Sequence, residues 1–405
     1  MIHMQLNSDV LKRVEFLIGN VEIASQLPDV PALVPFDDRI VSFLNDVSKE
    51  LLKNRLSKVY SDVVTFAFWI RKASVARLKE RFEVKDESLH LGKGVAFHIA
   101  PSNVPVNFAY SMVSGLLTGN GNVVRVPSKD FPQVSIIVEA LNNALKAHEH
   151  LKPYVLLVRY GRDKEINDLF SSAADVRIVW GGDRTIAELR NSPLPPRSGE
   201  ITFADRYSLA VIDSDSYLAL TDKAKAAEDF YNDTFFSDQN ACTSPRVIVW
   251  TGGKIEEAKK QFWNEEHRLV SQKYTFQPIQ GVNKLTSSCL IAVADPGVKV
   301  QKHQDNLIIR VSVPAVNESL MDYRDNSGYF FEYDCKDILD IRALCDDKKC
   351  QTIAYIGDRQ VLLPLILSGV KGIDRVVPMG KTMDFDLIWD GYNLPALLTR
   401  TIAMA

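Results

Sequence analysis

From residue 94 onward, short β-branched runs alternate with helical stretches, and this alternation limits the fold more than any other feature of the chain. Val95–Ala100, Asn122–Val126, Tyr154–Val158, Val176–Trp180, Leu209–Ile212 and Val247–Trp250 read as strands. Pro132–Ala147 and Lys164–Ser171 read as helices between them. Strands separated by helices predict parallel sheets and an α/β fold. In such sheets ligands bind beyond the carboxyl ends of the strands, so the loops that follow strands are expected to matter most.

The first 85 residues read differently. Ser8 can cap a segment whose apolar positions Val10, Leu11, Val14 and Leu17 follow a 3.6-residue period. Asp37 or Asp38 can cap a second, with Ile40, Val41, Leu44, Val47 and Leu51 on one face. A third run, Val63 to Leu78, is more apolar. Together they predict a helical packing layer. Ser192-Pro193-Leu194-Pro195-Pro196-Arg197-Ser198-Gly199 can continue neither a helix nor a central strand, and reads as a crossover between two α/β units. The expected organisation is a helical segment over 1–90, a first α/β domain over 91–205, a second over 206–378 and a tail over 379–405.

Composition removes several function classes. The 48 Lys and Arg against 51 Asp and Glu leave no basic excess to grip nucleic acid or an anionic membrane. The longest apolar run, Val361 to Val370, is interrupted by Pro364 and Ser368 and is too short for a membrane span. The start, Met1-Ile2-His3-Met4-Gln5-Leu6, lacks the pattern of a signal peptide. Five irregularly placed cysteines argue against a disulfide scaffold and for a reducing, cytoplasmic setting.

Two phosphate-loop patterns fail. Gly92-Lys93-Gly94-Val95-Ala96-Phe97 has Phe97 at the third glycine position and precedes its strand. Gly380-Lys381-Thr382 resembles the end of a P-loop, but Arg375 stands where its first glycine belongs. Gly119, Asn120, Gly121 and Asn122 read as a tight turn before a strand. No metal site is expected: Cys335, Cys345 and Cys350 lack ligand spacing, and His148 and His150 would not share a helix face.

Phe236-Ser237-Asp238-Gln239-Asn240-Ala241-Cys242-Thr243-Ser244-Pro245 is the segment with the most chemical promise. A helical stretch, Ala224 to Phe235, gives way to a polar run, one cysteine, small residues and a strand. A thiol there can be partly exposed, with backbone amides near enough to stabilise a thiolate. A packed, structural cysteine is the alternative. Cys289 reads as entering a strand, within the core. In His98-Ile99-Ala100-Pro101-Ser102-Asn103-Val104-Pro105 a strand runs into two prolines bracketing Ser102 and Asn103. Asn103 can donate to an oxyanion or cap the following helix. His98 can act as an acid–base group or simply pack.

Pro101-Ser102-Asn103-Val104-Pro105, then Gly121-Asn122-Val123-Val124-Arg125-Val126-Pro127-Ser128, then Phe236…Gln239-Asn240-Ala241-Cys242 resemble, in order, blocks of the aldehyde dehydrogenase superfamily. The segments Gly372–Gly380, Asp384-Phe385 and Trp389-Asp390-Gly391-Tyr392 resemble its acyl-CoA reductase branch, typified by LuxC. The resemblance implies an aldehyde-dehydrogenase-like fold: two parallel α/β/α sheet domains with the active site between them. It implies Cys242 as nucleophile, and Asn103 with the Cys242 backbone N–H as oxyanion donors. His98 is the nearest candidate proton donor in sequence. It places a nicotinamide cofactor against Ala100, Pro101, Ser102, Arg125, Pro127, Ser128, Lys129, Gly181 and Gly182.

The departures sharpen the expectation. The Leu-Glu-Leu-Gly-Gly block that carries the water-activating glutamate is absent; the region reads Phe203-Ala204-Asp205-Arg206-Tyr207-Ser208-Leu209. Reducing a thioester requires no activated water. Lys129 replaces a ribose-binding acid, which favours NADPH over NADH. The implied activity is NADPH-dependent reduction of a fatty acyl thioester, acyl-CoA or acyl-protein, to an aldehyde through an acyl-cysteine. Acyl-transferring partner enzymes and homo-oligomers fit this branch. A short-chain CoA-acylating aldehyde dehydrogenase, a surface-polysaccharide-pathway reductase and a non-catalytic binding module are the alternatives.

Overall fold

A computed structural model describes residues 6–82, 88–102 and 104–404. The chain forms two compact units. One runs to Ala204 and takes in the segment from Tyr392 onward; the other is Asp205–Gly391.

The first unit is built on six strands: β1 (Glu15–Ile18), β2 (Val95–Ile99), β3 (Gly121–Arg125), β4 (Val155–Arg159), β5 (Val176–Trp180) and β6 (Gly199–Phe203). Their order is β1-β4-β3-β2-β5-β6, parallel throughout except for β1, which runs antiparallel along β4. Every residue of β2 and of β5 is buried. A parallel sheet covered on both faces requires this, which is why these strands are largely apolar, with His98 and Arg177 as the buried exceptions. Phe97, Val123, Leu156, Val158, Phe170 and Val179 belong to the core on one face.

Asp37 caps the helix Asp38–Lys53, accepting from the Arg39 backbone N–H, and Ile40, Phe43, Leu44, Val47 and Leu51 form its buried stripe. The third apolar run breaks at Ile70 into two helices, Ser61–Trp69 and Lys72–Phe82. The expected N-terminal helix is corrected. It stops at Leu11, capped by Asn7, and the chain then extends as β1. Helical spacing and strand alternation are both satisfied by so short an apolar stretch, and pairing with β4 decides between them. Ser192–Gly199 leads into β6, so the chain leaves this sheet one strand later than that break suggests. A separate two-stranded ribbon pairs Leu89–Gly92 with Thr399–Ile402. The Leu398 carbonyl accepts from Asn120 Nδ2 at 3.0 Å.

The second unit holds β7 (Tyr207–Asp213), β8 (Pro245–Thr251), β9 (Lys299–Lys302), β10 (Ile309–Ser312), β11 (Tyr329–Asp334), β12 (Cys350–Ile356) and β13 (Arg375–Pro378). The order is β9-β10-β11-β8-β7-β12-β13, with only β9 antiparallel. Two buried clusters sandwich this sheet, one containing Leu209, Val247, Phe331 and Ile353, the other Ile212, Ile248, Trp250 and Phe330. Cys289 corrects an expectation: it lies exposed on the helix Pro278–Ala294. That helix buries Gly281, Lys284, Ser288 and Ile291 and turns its neighbouring apolar residues outward, so the apolar run after Cys289 is not a core strand. Among the described residues no helix is long and apolar enough to cross a membrane.

Candidate active site

In the first unit, chain order reverses between β2 and β5, which lie side by side although β3 and β4 intervene in sequence. A crevice forms beyond the carboxyl ends of strands at such a point. Ala100, Pro101 and Ser102 follow β2 there, and Gly181 and Gly182 follow β5. Gly182 is exposed, and a side chain added to it would meet nothing within 4 Å, which leaves its backbone approachable. The next strand over, β3, delivers Arg125, Pro127, Ser128 and Lys129 to the same edge. Arg125 is partly engaged: its guanidinium lies 4.6 Å from the Tyr160 ring centroid and donates to the Gly161 carbonyl at 3.1 Å. Lys129 is exposed, its ammonium 5.0 Å from the Phe131 ring centroid. Asn103 lies outside the described residues.

His98 belongs to the interior. Its Nε2 donates to Asn122 Oδ1 at 2.9 Å, and its Nδ1 accepts from the Ser111 hydroxyl at 2.7 Å. Ser111 Oγ accepts in turn from Trp180 Nε1 at 2.9 Å, and Asn122 Nδ2 donates to the Asn120 carbonyl at 2.7 Å. Gly115 lets its helix close over this network, since a Cβ there would sit 1.9 Å from Asn122 Oδ1. Burial pushes the His98 pKa down to about 4, outweighing the Asn122 hydrogen bond, so the ring is neutral near pH 7. With both nitrogens occupied, the acid–base expectation for His98 gives way to a structural one. Asn120 and Asn122 are likewise buried network members, and Gly119 alone among the four supplies the left-handed turn.

In the second unit, Cys242 lies at the opposite end of its sheet. It follows the helix Lys223–Asp233 and the short turn Phe235–Ser237 and precedes β8, at the amino ends of the strands. The candidate thiol therefore lies at the edge opposite the one where loops after strands were expected to matter most. The turn is held by a buried frame. Gln239 has left-handed backbone geometry (φ 56°) and a fully enclosed side chain. Its Nε2 donates to the Pro245 and Tyr329 carbonyls, both at 3.0 Å. Its Oε1 accepts from the Gly328 and Tyr329 backbone amides at 3.0 and 3.2 Å. Arg246 donates to the Gln239 carbonyl at 2.9 Å and to Asp325 O and Asn326 Oδ1 at 2.8 Å. Asp238, also left-handed, accepts from Ser327 Oγ at 2.8 Å and from Gln280 and Tyr274. Ser208 Oγ donates to the Cys242 carbonyl at 2.8 Å.

Cys242 is half-buried, deep among its neighbours yet reaching solvent. Burial, then the charge of Asp390, pushes its thiol up to about 12. Gln351 and the Cys242 backbone amide act in the other direction by hydrogen bonding to the sulfur. Asp390 is buried and pushed up to about 7, chiefly by desolvation. Gln351 Nε2 donates to Asp390 Oδ1. Gln351 did not stand out in the sequence, and Asp390 entered it only as part of the segment Trp389–Tyr392, with no role assigned. A polar pair, Gln351-Thr352, inside an otherwise apolar strand was the available signal, because buried polar side chains require partners.

Cys335, Cys345 and Cys350 are buried. The amides of Gly380 and Thr382, which a phosphate would require, donate instead to the buried Asp233 carboxylate at 2.6 and 3.0 Å. Among the described residues no group of three or more His, Cys, Asp or Glu side chains could hold a metal ion.

Residues 20–268 match the family "Acyl-CoA reductase (LuxC)". The long-chain acyl-protein thioester reductase of Aliivibrio fischeri is 23% identical over 300 residues, covering 72% of this chain and 60% of that one. Long-chain acyl-protein thioester reductase 2 of Photobacterium leiognathi is 26% identical over 230 residues, 56% of this chain and 46% of that one. The chain thus matches about half the length of these relatives. Among solved structures, a lactaldehyde dehydrogenase superposes with a TM-score of 0.65 at 14% identity, covering 94% of this chain and 89% of the other. An indole-3-acetaldehyde dehydrogenase of P. syringae, in complex with NAD+, superposes with a TM-score of 0.65 at 12% identity, covering 94% and 86%. The fold is therefore that of the aldehyde dehydrogenases, with parallel sheets and flanking helices, and the chain belongs to the acyl-CoA reductase (LuxC) family.

Proposed function

We propose that this protein reduces a long-chain acyl thioester, carried on coenzyme A or on a protein, to the aldehyde, with NADPH as reductant and Cys242 as covalent acyl acceptor. The observation that carries the reading is the half-buried residue Cys242, set on a rigid buried frame with the Gln351 amide hydrogen-bonding its sulfur, in a chain of this family.

Residues of the first unit fit a dinucleotide. The reversal of strand order, the open backbone at Gly182 and the exposed Lys129 form one edge, where Ala100, Pro101, Ser102, Pro127, Ser128 and Gly181 would complete the contacts. Lys129 would meet a 2′-phosphate, the basis for preferring NADPH to NADH. Bound there, the nicotinamide supplies a hydride.

The chain's own part begins with loss of the Cys242 proton. The thiolate attacks the thioester carbonyl, and the oxyanion is held by the Cys242 backbone N–H and by Asn103; losing one such donor typically costs about 10²–10³ in rate. The donor thiolate departs, leaving an acyl-Cys242 thioester. After reduction, the resulting thiohemiacetal alkoxide re-forms the C=O bond and expels the Cys242 thiolate, releasing free aldehyde. Splitting the reaction at an acyl-enzyme replaces one difficult step by two easier ones.

The test is incubation with radiolabelled acyl-CoA in the absence of NADPH. The wild-type protein is expected to take up covalent label and release it as aldehyde when NADPH is added. Equal labelling of Cys242→Ala would overturn the assignment. A chain-length series of acyl-CoA substrates then separates a fatty acyl reductase from a short-chain CoA-acylating enzyme.

A further inference from the structure

A thiol pushed to about 12 needs a group to take its proton, and nothing in the mechanism above supplies one. Two carboxylates act on Cys242: Asp390 and, more weakly, Asp205. Asp205 is paired with Arg324 at 2.9 Å. Among the described residues Asp390 has no such ion-pair partner. Arg206 faces it but spends its guanidinium on Asp374 at 2.9 Å and on the Lys348 carbonyl at 2.8 Å. Arg375 also faces it, but donates to the Thr382 and Asp384 carbonyls and stacks on Trp389. Asp374, the remaining charged neighbour, repels it. Asp390 is buried, in left-handed backbone geometry (φ 50°) directly before Gly391 (φ 74°), a costly conformation for a non-glycine residue.

Gln351 connects the two groups. Nε2 is the only donor on its side chain, so the hydrogen bond that favours the thiolate and the one to Asp390 come from the same nitrogen. Its Oε1 is buried and has no donor among the described residues.

We propose that Asp390 takes the proton when the Cys242 thiolate forms, and that the Gln351 carboxamide couples the two groups. The S–H bond breaks with its electron pair left on sulfur, and the Asp390 carboxylate gains an O–H. The pair carries one negative charge before and after, so no further reactant is required. Once neutral, Asp390 no longer repels the thiolate. Its new O–H supplies the donor that Gln351 Oε1 lacks, and Nε2 is released to the sulfur. Two groups coupled in this way titrate as a unit, with an acceptor poised near neutral pH.

The inference rests on Cys242 as nucleophile, but its test needs no substrate. Alkylation of the full chain by iodoacetamide, followed by peptide mass spectrometry between pH 5.5 and 9.5, reads Cys242 directly. Exposed Cys289 provides the internal reference, and buried Cys335, Cys345 and Cys350 report unfolding. The wild-type rate is expected to rise through a step near neutrality. Asp390→Asn is expected to slow Cys242 about tenfold or more at pH 7.5 and move its profile to the alkaline side, with Asp390→Glu restoring much of the rate. Asp390→Asn alkylating as fast as wild type or faster, as removal of a repelling charge alone would produce, overturns the proposal. If Asp390→Asn exposes the buried cysteines, Gln351→Met decides: a slowed, alkaline-shifted profile supports the coupling and an unchanged one refutes it. A protein that shows the neutral step but takes no acyl label keeps the proton acceptor and loses the reductase. One that takes label without the step does the reverse.

Discussion

Both units are parallel sheets flanked by helices, yet they carry their candidate chemistry at opposite ends. The first presents Ser102, Lys129 and the Gly181-Gly182 turn beyond the carboxyl ends of its strands. The second presents Cys242, Gln351 and Ser208 at the amino ends. Helices that follow parallel strands begin at the carboxyl edge and bring free N–H groups there, which suits an anionic dinucleotide. The amino edge receives the ends of the preceding helices, where carbonyls collect. The helix Lys223–Asp233 finishes on the Cys242 loop in this way. A thiolate there gains nothing from helix dipoles and depends on side-chain donors such as Gln351. The high resting pKa of Cys242 comes from burial first and the charge of Asp390 second, and the helix that ends here brings no N-terminus to offset them.

The largest expected effect falls on the frame of the second edge. Gln239→Leu removes four hydrogen bonds to buried backbone groups, at about 4 kcal/mol or more in total. Denaturant titration should show this loss of stability, with acyl labelling of Cys242 lost even where the protein remains folded.

Next in size, the units should respond to pH in opposite directions. Unfolded chain protonates His98 below about 6.5 while the folded chain resists to about 4, so the first unit gains about 3 kcal/mol as pH rises across that window. Asp233 is pushed up to about 6, so the folded second unit holds a proton that the unfolded chain has released. It loses about 3 kcal/mol as pH rises from about 4 to 6, and Asp390 acts in the same sense. Asp62 in the first unit opposes His98, though it is only partly buried. Hydrogen exchange at pH 4.5 and 7, compared between β2 and β7, would break the contrast if both moved together.

Two smaller effects sharpen it. Lys129→Ala should raise KM for NADPH roughly tenfold while leaving KM for NADH nearly unchanged, about 1.4 kcal/mol of preference. Cys289→Ser, on an exposed helix face, should alter stability by less than about 0.5 kcal/mol and leave activity intact, as thermal melts and turnover can check.

The first sheet was legible because its buried parallel strands are rich in apolar β-formers; Val176–Trp180, despite Arg177, has the same bounds in sequence and structure. The capped helix starting at Asp38 was equally plain. Glu15–Ile18 was not, because four residues cannot distinguish two periods and the deciding partner, β4, lies far along the chain. The cysteine and its polar loop were visible as local composition. Gln351 and Asp390 were not, since they reach Cys242 only through strand pairing and the return of a late turn. His98 illustrates the converse: alternation assigns it a strand face, but only the packing of Ser111, Asn122 and Gly115 reveals that both of its nitrogens are already taken.

The ribbon between Leu89–Gly92 and Thr399–Ile402 has a consequence for synthesis. As the chain leaves the ribosome, the first unit has all six strands of its main sheet by Phe203, but the ribbon partner and the Leu398 carbonyl to which Asn120 donates emerge only after the whole of Asp205–Gly391. Until then Leu89–Gly92 remains an open edge, and the nascent protein must keep it from pairing with other chains while its second half is still being translated.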